Sequence, residues 1–351
     1  MKPAKRHRTT RRPTDAPRSN YLSPIKRSIR DGLRWVEPYD YEFRAYAKGR
    51  WVGRKLIDVC EAEFVAQPRE YYEKAIIDGR ITIGEKTVNI PYVLDHNDLI
   101  IHRTRCTENP VSGEEIKTIV ETDKFLVVSK PSSLPIHACG GYRLNTLVSL
   151  LQYERKEEQE LLPAHRIDRL TSGLVILGKT PEAARDIGGC IMDNSGDKEV
   201  FKEYLALAKG HVESARTIKG YIKCTDFRVG KFVFLKTEQS DCKYSETTIE
   251  PLKYYEDRNE SLVKCRPITG RTHQIRLHLQ SIGHPIVNDV CYGGVFDAGH
   301  PHAIRQIPSV QHDTYGKLFC GGIFLHAFHY HVSALKLDVQ ADLPSWATDH
   351  R

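Results

Sequence analysis

No apolar run in this 351-residue chain approaches the roughly 20 residues that a membrane-spanning helix requires. Stretches such as Phe125–Val128 and Leu174–Leu177 are of strand length, so no membrane partner is expected. The nine cysteines include no Cys-x-x-Cys pair, which argues against a zinc knuckle or ribbon. No secretory apolar segment lies near the amino terminus, so the thiols are expected reduced, in an intracellular compartment. A Walker loop, a dinucleotide fingerprint and a metal motif are all missing, and neither a cofactor nor a metal is expected. Excess positive charge is scarce outside one segment: of the net +7, residues 1–20 carry +6, with seven Lys or Arg against the single acid Asp15. The remainder is nearly neutral, so any RNA surface must be a local patch.

What the chain does have is 40% hydrophobic and 28% charged residues, enough for one large domain with a smaller attachment, or for two domains. Residues 1–52 read as a basic N-terminal extension, Pro- and Arg-rich at first, with aromatic residues from Trp35 to Tyr46 that can dock on the body. A solvated tail, a nuclear signal or RNA-binding arm, and a mitochondrial presequence are the alternatives. The last suffers because the first twenty residues lack a regular apolar face.

Residues 53–106 read as a small unit. The spacing in Glu70–Gly79 puts Tyr72, Ile76 and Ala75 on one helical face, and Gly79 can supply the left-handed cap. Arg80–Ile83 then alternates as a strand, Gly84 and Glu85 form a turn, and Lys86–Ile90 returns as the hairpin partner. A helix followed by a basic hairpin is a small surface on which phosphates can sit, with Arg80 and Lys86 as its candidates.

Residues 114–351 change character. Strands are expected at 119–129, 173–179, 204–209, 217–224, 262–268 and 324–329, and helices at 144–153, 181–193 and 272–282. Strands follow one another without a helix between Tyr204 and Ile268. That spacing argues against a doubly wound parallel sheet and for an α+β domain with a mixed, mostly antiparallel sheet.

Two segments carry candidate chemistry. His165-Arg-Ile-Asp-Arg-Leu-Thr-Ser-Gly173 crowds charges into a loop that runs straight into an apolar strand, where desolvation is costly unless the charges are used or paired. By itself this stretch reads first as a surface salt-bridge cluster. In Gly270-Arg-Thr-His-Gln-Ile-Arg276 and beyond, Thr272 can cap a helix whose Ile275, Leu279 and Ile282 face the core. His273, Arg276 and Gln280 then share another face, and an arginine there is placed to hold a carboxylate ionised.

Together these segments resemble the motifs of RluA-type pseudouridine synthases, in order and in spacing. His165–Gly173 matches H-R-[LI]-D-x-x-T-S-G, Lys202-Glu-Tyr204 matches K-x-Y, and Gly270–Arg276 matches G-R-T-H-Q-[IL]-R. Ser129–His137 resembles an upstream family element and Leu325-His-Ala327 the final one. Residues 135–146 look most like the eukaryotic branch acting on transfer RNA and other RNAs. Residues 53–106 resemble the α-L RNA-binding domain often placed in front, with Ile83-Gly-Glu-Lys86 where that domain usually has Val-Asn-Gly-Lys.

The resemblance implies an isomerase with the pseudouridine synthase fold, converting uridine to pseudouridine without cofactor or metal. It implies Asp168 as the catalytic carboxylate, Arg276 as its ion-pair partner and Tyr204 as the active-site tyrosine. Arg166, Arg271 and His273 are implied RNA contacts, alongside Arg80 and Lys86. The implied partner is RNA, transfer RNA ahead of ribosomal or messenger RNA; a monomer is the default expectation, in the cytoplasm, nucleus or mitochondrion. The competing classes are a catalytically dead, RNA-folding relative, against which the intact Asp168, Tyr204 and Arg276 speak, and a glycosidase-like hydrolase, which lacks a second carboxylate at a recognisable motif.

Overall fold

The computed structural model describes residues 22–64, 67–156, 160–192, 199–226, 230–295 and 322–348; the strongly basic residues 1–20 lie outside them. In chain order the strands and helices begin with the hairpin β1 (Arg27–Arg30) and β2 (Leu33–Val36), followed by β3 (Tyr39–Tyr46), α1 (Leu56–Glu63) and α2 (Arg69–Ile77). Next come β4 (Ile81–Ile83), β5 (Lys86–Thr87), β6 (Leu99–Cys106), β7 (Val111–Ser112), β8 (Lys117–Glu121), β9 (Phe125–Lys130) and α3 (Leu147–Arg155). Then follow β10 (Leu162–Pro163), β11 (Ser172–Gly178), α4 (Pro181–Met192), β12 (Val200–Lys209), β13 (Arg216–Asp226) and β14 (Lys231–Leu235). The last are β15 (Cys242–Tyr255), β16 (Glu260–Pro267), α5 (Gln274–Ser281), β17 (Leu325–Val332) and β18 (Leu337–Gln340).

The described residues divide into two compact units, one comprising those in 22–26 and 37–107, the other those in 27–36 and 108–348. In the smaller unit a sheet of order β3-β6-β4-β5 packs with α1 and α2 around Trp51, Leu56, Tyr72, Ile76, Ile81 and Ile100. The predicted helix and its cap are there: Tyr72, Ala75 and Ile76 are buried, and Gly79 takes φ +70. Its N–H donates to the Ile76 carbonyl while the Arg80 N–H reaches back to Ala75, so the last carbonyls of α2 find partners. The expected return strand is shorter than predicted, ending at Thr87.

Residues 22–52 differ from the expected extension. β2 pairs with β7 in the larger unit, and β3 pairs along its whole length with β6 in the smaller one. The cause is legible afterwards in Tyr39-Asp-Tyr-Glu-Phe-Arg-Ala-Tyr46, whose period-two pattern buries Tyr39 and Tyr41.

The larger unit is α+β, built on an 11-stranded sheet whose main path runs β14-β13-β15-β16-β12-β17-β11-β9-β8, with β10 on β11 and β18 on β17. Its pairings are antiparallel except for β11 with β17, where Ser172 faces His326 and Gly173 faces Ala327. The sheet is thus mixed and mostly antiparallel, as expected. Residues 119–129, read as one strand, are instead two strands turning at Thr122, and the long β15 was not foreseen. Leu174–Leu177 in β11 are wholly buried, and each contributes about 2 kcal/mol of apolar burial. That apolar run shares a cluster with Leu147, Leu150 and Leu151 of α3 and Ile187 and Ile191 of α4.

The parallel contact of β11 with β17 fixes where the preceding loop emerges, and it depends on Gly173. Its φ is +105, and a Cβ there would lie 2.2 Å from the Ala327 carbonyl oxygen. Beside it Ser172 Oγ and His326 Nδ1 are hydrogen-bonded at 2.8 Å. Gly173→Ala is expected to destabilise the larger unit by at least ~3 kcal/mol, through backbone strain and the forced separation of two central strands. Urea denaturation followed by tryptophan fluorescence checks this; a midpoint unchanged from wild type would show that the two strands have slack at this point.

Candidate active site

The loop between β10 and β11 presents Asp168 at the end of the wholly buried β11 run. Its shape is fixed by bonds from several sides. The Thr171 N–H donates to the Asp168 carbonyl at 3.2 Å, closing a turn around Arg169 and Leu170. Lys130, only 1% exposed, donates from Nζ to the Pro131 carbonyl at 2.8 Å and the Arg169 carbonyl at 3.1 Å. Burial and the charge of Arg169 drive the pKa of Lys130 well below the ordinary lysine value, so this residue acts as a buried donor to backbone. At the start of the loop the Ile176 N–H donates to His165 Nε2 at 3.1 Å. Burial pushes His165 down to about 3, so the ring is neutral and its proton sits on Nδ1.

Asp168 meets Arg276. Nη1 of Arg276 lies 3.2 Å from Asp168 Oδ2, which brings together the pair expected from sequence. The guanidinium, however, is held chiefly by a residue the sequence reading missed. Asp289, fully buried, accepts from Nε at 2.7 Å through Oδ2 and from Nη2 at 2.8 Å through Oδ1, a two-pronged bond. The Tyr292 ring lies under the same guanidinium, 4.7 Å from its centroid, and the Tyr292 hydroxyl is 2.6 Å from His273 Nδ1. His273 Nε2 stands 3.8 Å from Asp168 Oδ2, so this side chain turns toward the carboxylate.

α5 corrects the expectation of a half-exposed helix with a Thr272 cap. It starts at Gln274, and every residue from Gln274 to Leu279 is buried. Its N-cap position is His273, in the left-handed region at φ +57, without a side-chain cap. The entrance is held by Gln274, whose Oε1 accepts from Thr269 Oγ1 at 2.7 Å and from the Arg271 N–H at 3.0 Å. The left-handed His273 swings the chain so that its imidazole and Arg276 both reach Asp168. Gly283 ends the helix at φ +83, as expected.

Electrostatics at Asp168 oppose one another. Burial alone raises its pKa, but the charge of His273, the charge and hydrogen bond of Arg276 and the charge of Arg166 outweigh that, and the carboxyl lies below its usual range. Burial also lowers the His273 pKa, so near neutrality the attraction comes from the arginines. Tyr204 on β12 donates or accepts a hydrogen bond with the Tyr330 hydroxyl at 2.9 Å. Burial pushes Tyr204 up to about 12, which keeps the phenol protonated.

These groups line one cleft of about 460 Å³, within the range of small-molecule sites. Asp168, Tyr204, Arg276, Arg166, Arg271 and His273 all contribute to its wall, which also includes His165 and Lys202. Arg166 is exposed, whereas Arg271 donates from Nε to the Tyr244 carbonyl at 2.8 Å. Arg80 and Lys86 belong to the smaller unit: Arg80 lies over the Tyr71 ring and bonds its hydroxyl, and Lys86 is exposed. The signal for Asp289 and Tyr292 was present in Asn288-Asp-Val-Cys-Tyr-Gly-Gly294, an acid and a tyrosine before paired glycines. A Cβ at Gly294 would meet the Ile286 carbonyl at 2.3 Å, so the turn that buries Asp289 requires glycine there.

Comparison with known proteins agrees with this geometry. Residues 124–281 match the family described as RNA pseudouridylate synthase. The chain is 41% identical over 266 residues to human "Pseudouridylate synthase RPUSD2", covering 75% of this chain and 47% of that protein. It is 38% identical over 273 residues to the Saccharomyces cerevisiae "tRNA pseudouridine(32) synthase, mitochondrial", covering 77% of this chain and 57% of the relative. With the yeast "tRNA pseudouridine(31) synthase" the identity is 33% over 310 residues, covering 77% of this chain and 74% of the relative. The chain spans about half the length of the first two of these relatives. The motifs at Asp168, Tyr204 and Arg276, the cleft that unites them and the identity across three quarters of the third relative lead to one conclusion: the chain belongs to the RluA-type family of RNA pseudouridylate synthases.

Proposed function

We propose that this protein isomerises specific uridines in RNA to pseudouridine, with the Asp168 carboxylate acting at the ribose or the base. The observation that carries this reading is a partly buried carboxylate, Asp168, beside the Arg276 guanidinium at the wall of a cleft of about 460 Å³ that Tyr204 also lines. The reaction moves the glycosidic bond from nitrogen to carbon with no net redox change, and a charged carboxylate can attack or stabilise positive charge at the sugar. Tyr204 packs on the detached base and, with its phenol protonated, can pass a proton at the sugar.

A base stacked in RNA cannot reach Asp168, so the target nucleotide leaves the stack at a cost of a few kcal/mol. Arg166, exposed at the cleft wall, fills the vacated space or holds the flipped strand, and Arg271 contacts phosphate. His273, turned toward Asp168, contacts the flipped nucleotide inside the cleft. Arg80 and Lys86 give the smaller unit the basic hairpin of an α-L-type RNA-binding domain. Transfer RNA is the first substrate to test, because two yeast relatives are named as transfer-RNA pseudouridine synthases. The protein acts as a monomer, and cytoplasm, nucleus and mitochondrion are the compartments to compare. The decisive experiment is pseudouridine mapping of cellular RNA with wild-type protein and with Asp168→Asn. Sites that depend on the protein should vanish in the variant while its fold and most RNA affinity persist. Modification by Asp168→Asn at a rate near wild type would remove the carboxylate from the mechanism.

The lowered pKa of Asp168 gives the pH dependence its sign. The active form is the carboxylate, so activity is present above the folded pKa and lost as pH falls through it. In wild type that loss lies below the ordinary aspartate value of about 3.9. Arg276→Leu leaves burial as the dominant influence, so the loss moves to higher pH by about 1–3 units. Arg276→Lys, which keeps charge but not the planar fork, falls between. Single-turnover pseudouridine formation at saturating enzyme, followed from acid to neutral pH, reads this directly. An Arg276→Leu profile identical to wild type, with only RNA affinity reduced, would make Arg276 an RNA contact.

Asp289 acts through Arg276. Asp289→Asn leaves a buried guanidinium with only the more distant Asp168 for ionic support, and breaking such a pair costs about 3 kcal/mol. Lower stability in denaturant titration is expected, with a single-turnover rate down by up to about a hundredfold from the loosened Arg276 and RNA affinity near wild type. Wild-type stability and rate in this variant would show that the two-pronged bond is dispensable.

A further inference from the structure

Among the described residues, Lys202 is a cleft-lining cation that the pairings around Asp168 leave unexplained. It sits on β12 two residues before Tyr204, and side chains two apart on a strand project to the same face, about 7 Å from each other. Both line the cleft that contains Asp168. The nearest carboxylate in sequence, Glu203, projects to the other face, where Arg266 Nε donates to it at 2.6 Å and His329 Nδ1 lies at 3.3 Å. Among the described residues no carboxylate or carbonyl pairs with the Lys202 ammonium, which is partly buried. Its neighbour His165 is neutral, with Nε2 occupied by the Ile176 N–H, and offers no compensating negative charge. Burial lowers the Lys202 pKa, the penalty expected for a desolvated cation without a partner.

An unpaired, partly desolvated ammonium is costly unless an anion arrives to meet it. Substrate chemistry supplies one. When the N1–C1′ bond breaks, its electron pair leaves with the uracil, whose negative charge spreads over N1 and the two carbonyl oxygens. The C5–C1′ bond then forms from the ring electrons, the hydrogen at C5 departs as a proton, and N1 gains a proton. The net change is an isomerisation, with no electron gained or lost overall. We infer that Lys202 donates to a carbonyl oxygen of the detached uracil and stabilises its negative charge while the base turns between its two bonds to the ribose. Asp168 with Arg276 and Lys202 then divide the labour, the first pair serving the ribose and the ammonium serving the base. Tyr204, two residues along β12 from Lys202, lines the same cleft. The inference rests on the isomerase reading given above.

The test separates leaving-group stabilisation from architecture. Full-length wild type, Lys202→Met and Lys202→Arg are compared in single turnover at saturating enzyme, on a transfer-RNA stem-loop containing the mapped target uridine. A second stem-loop carries 5-fluorouridine at that position, whose more acidic ring is a better leaving group and needs less help. Cleavage of the N1–C1′ bond is followed by nuclease digestion and chromatography of the nucleosides. Lys202→Met should slow the uridine substrate by about a hundredfold, the usual effect of removing one donor to a developing anion. It should slow the fluorinated substrate by clearly less, with RNA affinity near wild type, and Lys202→Arg should recover part of the rate.

Equal slowing on both substrates would overturn the inference and make Lys202 a structural residue. Loss of affinity at an unchanged saturated rate would overturn it in favour of a phosphate contact. Wild-type protein that forms no pseudouridine on the mapped RNA would overturn the isomerase reading itself, and this inference with it; the other outcomes bear on Lys202 alone.

Discussion

The site depends on one guanidinium shared unequally between two carboxylates. Arg276 is anchored by Asp289 through two bonds and offers Asp168 only one of its nitrogens, at 3.2 Å. A buried arginine bonded in two prongs to a single acid would neutralise that acid and leave nothing for chemistry. Here the second acid absorbs the fork geometry and fixes the guanidinium plane, while the first receives charge without being fully coordinated. Asp168 therefore stays ionised yet keeps lone pairs without a bonding partner on Arg276. Buried ion pairs contribute little net stability because desolvation offsets the attraction, so this arrangement is better understood as positioning than as stabilisation. Tyr292 completes it by covering the guanidinium face and bonding His273, which limits movement of both.

The fold serves that interaction by bringing three separate chain segments to one place. The Asp168 loop leaves at the start of β11, Arg276 stands in the first turn of α5, and Asp289 follows the same helix after a tight turn. None of these is adjacent in the sheet order, so their meeting depends on rigid elements. The loop is pinned from behind by Lys130, whose ammonium binds backbone carbonyls and no acid. The close approach of β11 and β17 at Gly173 sets the height at which Asp168 emerges. Burial of α5 over nearly its whole circumference removes the freedom a surface helix would have, and its left-handed entry at His273 costs backbone energy that the packing overcomes.

Much of this was legible in the sequence, for reasons that differ by residue. The α+β class followed from strands succeeding one another without helices, and the cap at Gly79 from the end of a helical pattern. Asp168, Tyr204 and Arg276 were legible because their motifs are local strings of chemically specific residues. Asp289 was not, because it lies 13 residues beyond Arg276, outside every quoted motif, and a buried acid is recognised only by the partner that pays for it. β3 was misread because basic and Pro-rich neighbours masked the alternation Tyr39, Tyr41, Phe43. α5 was misread as half-exposed because His278 and Arg276 are polar, whereas His278 is buried, bonded to Ser245 and aligned edge-on to Phe234. Polarity in sequence signals exposure only until a buried partner is found.

The charges of the chain fall into two sets that differ in range. Nearly all of the net positive charge lies in residues 1–20, and charges of an exposed kind act at long range and weaken as salt screens them. The cleft works with few charges at short range, where water is partly excluded and each is worth more. An exposed arginine such as Arg166 is screened by solvent, whereas Arg276, 3% exposed, has its partners fixed on two sides. The two sets of charges therefore respond to different perturbations: salt acts on the exposed set, while a change of one buried partner acts on the set in the cleft.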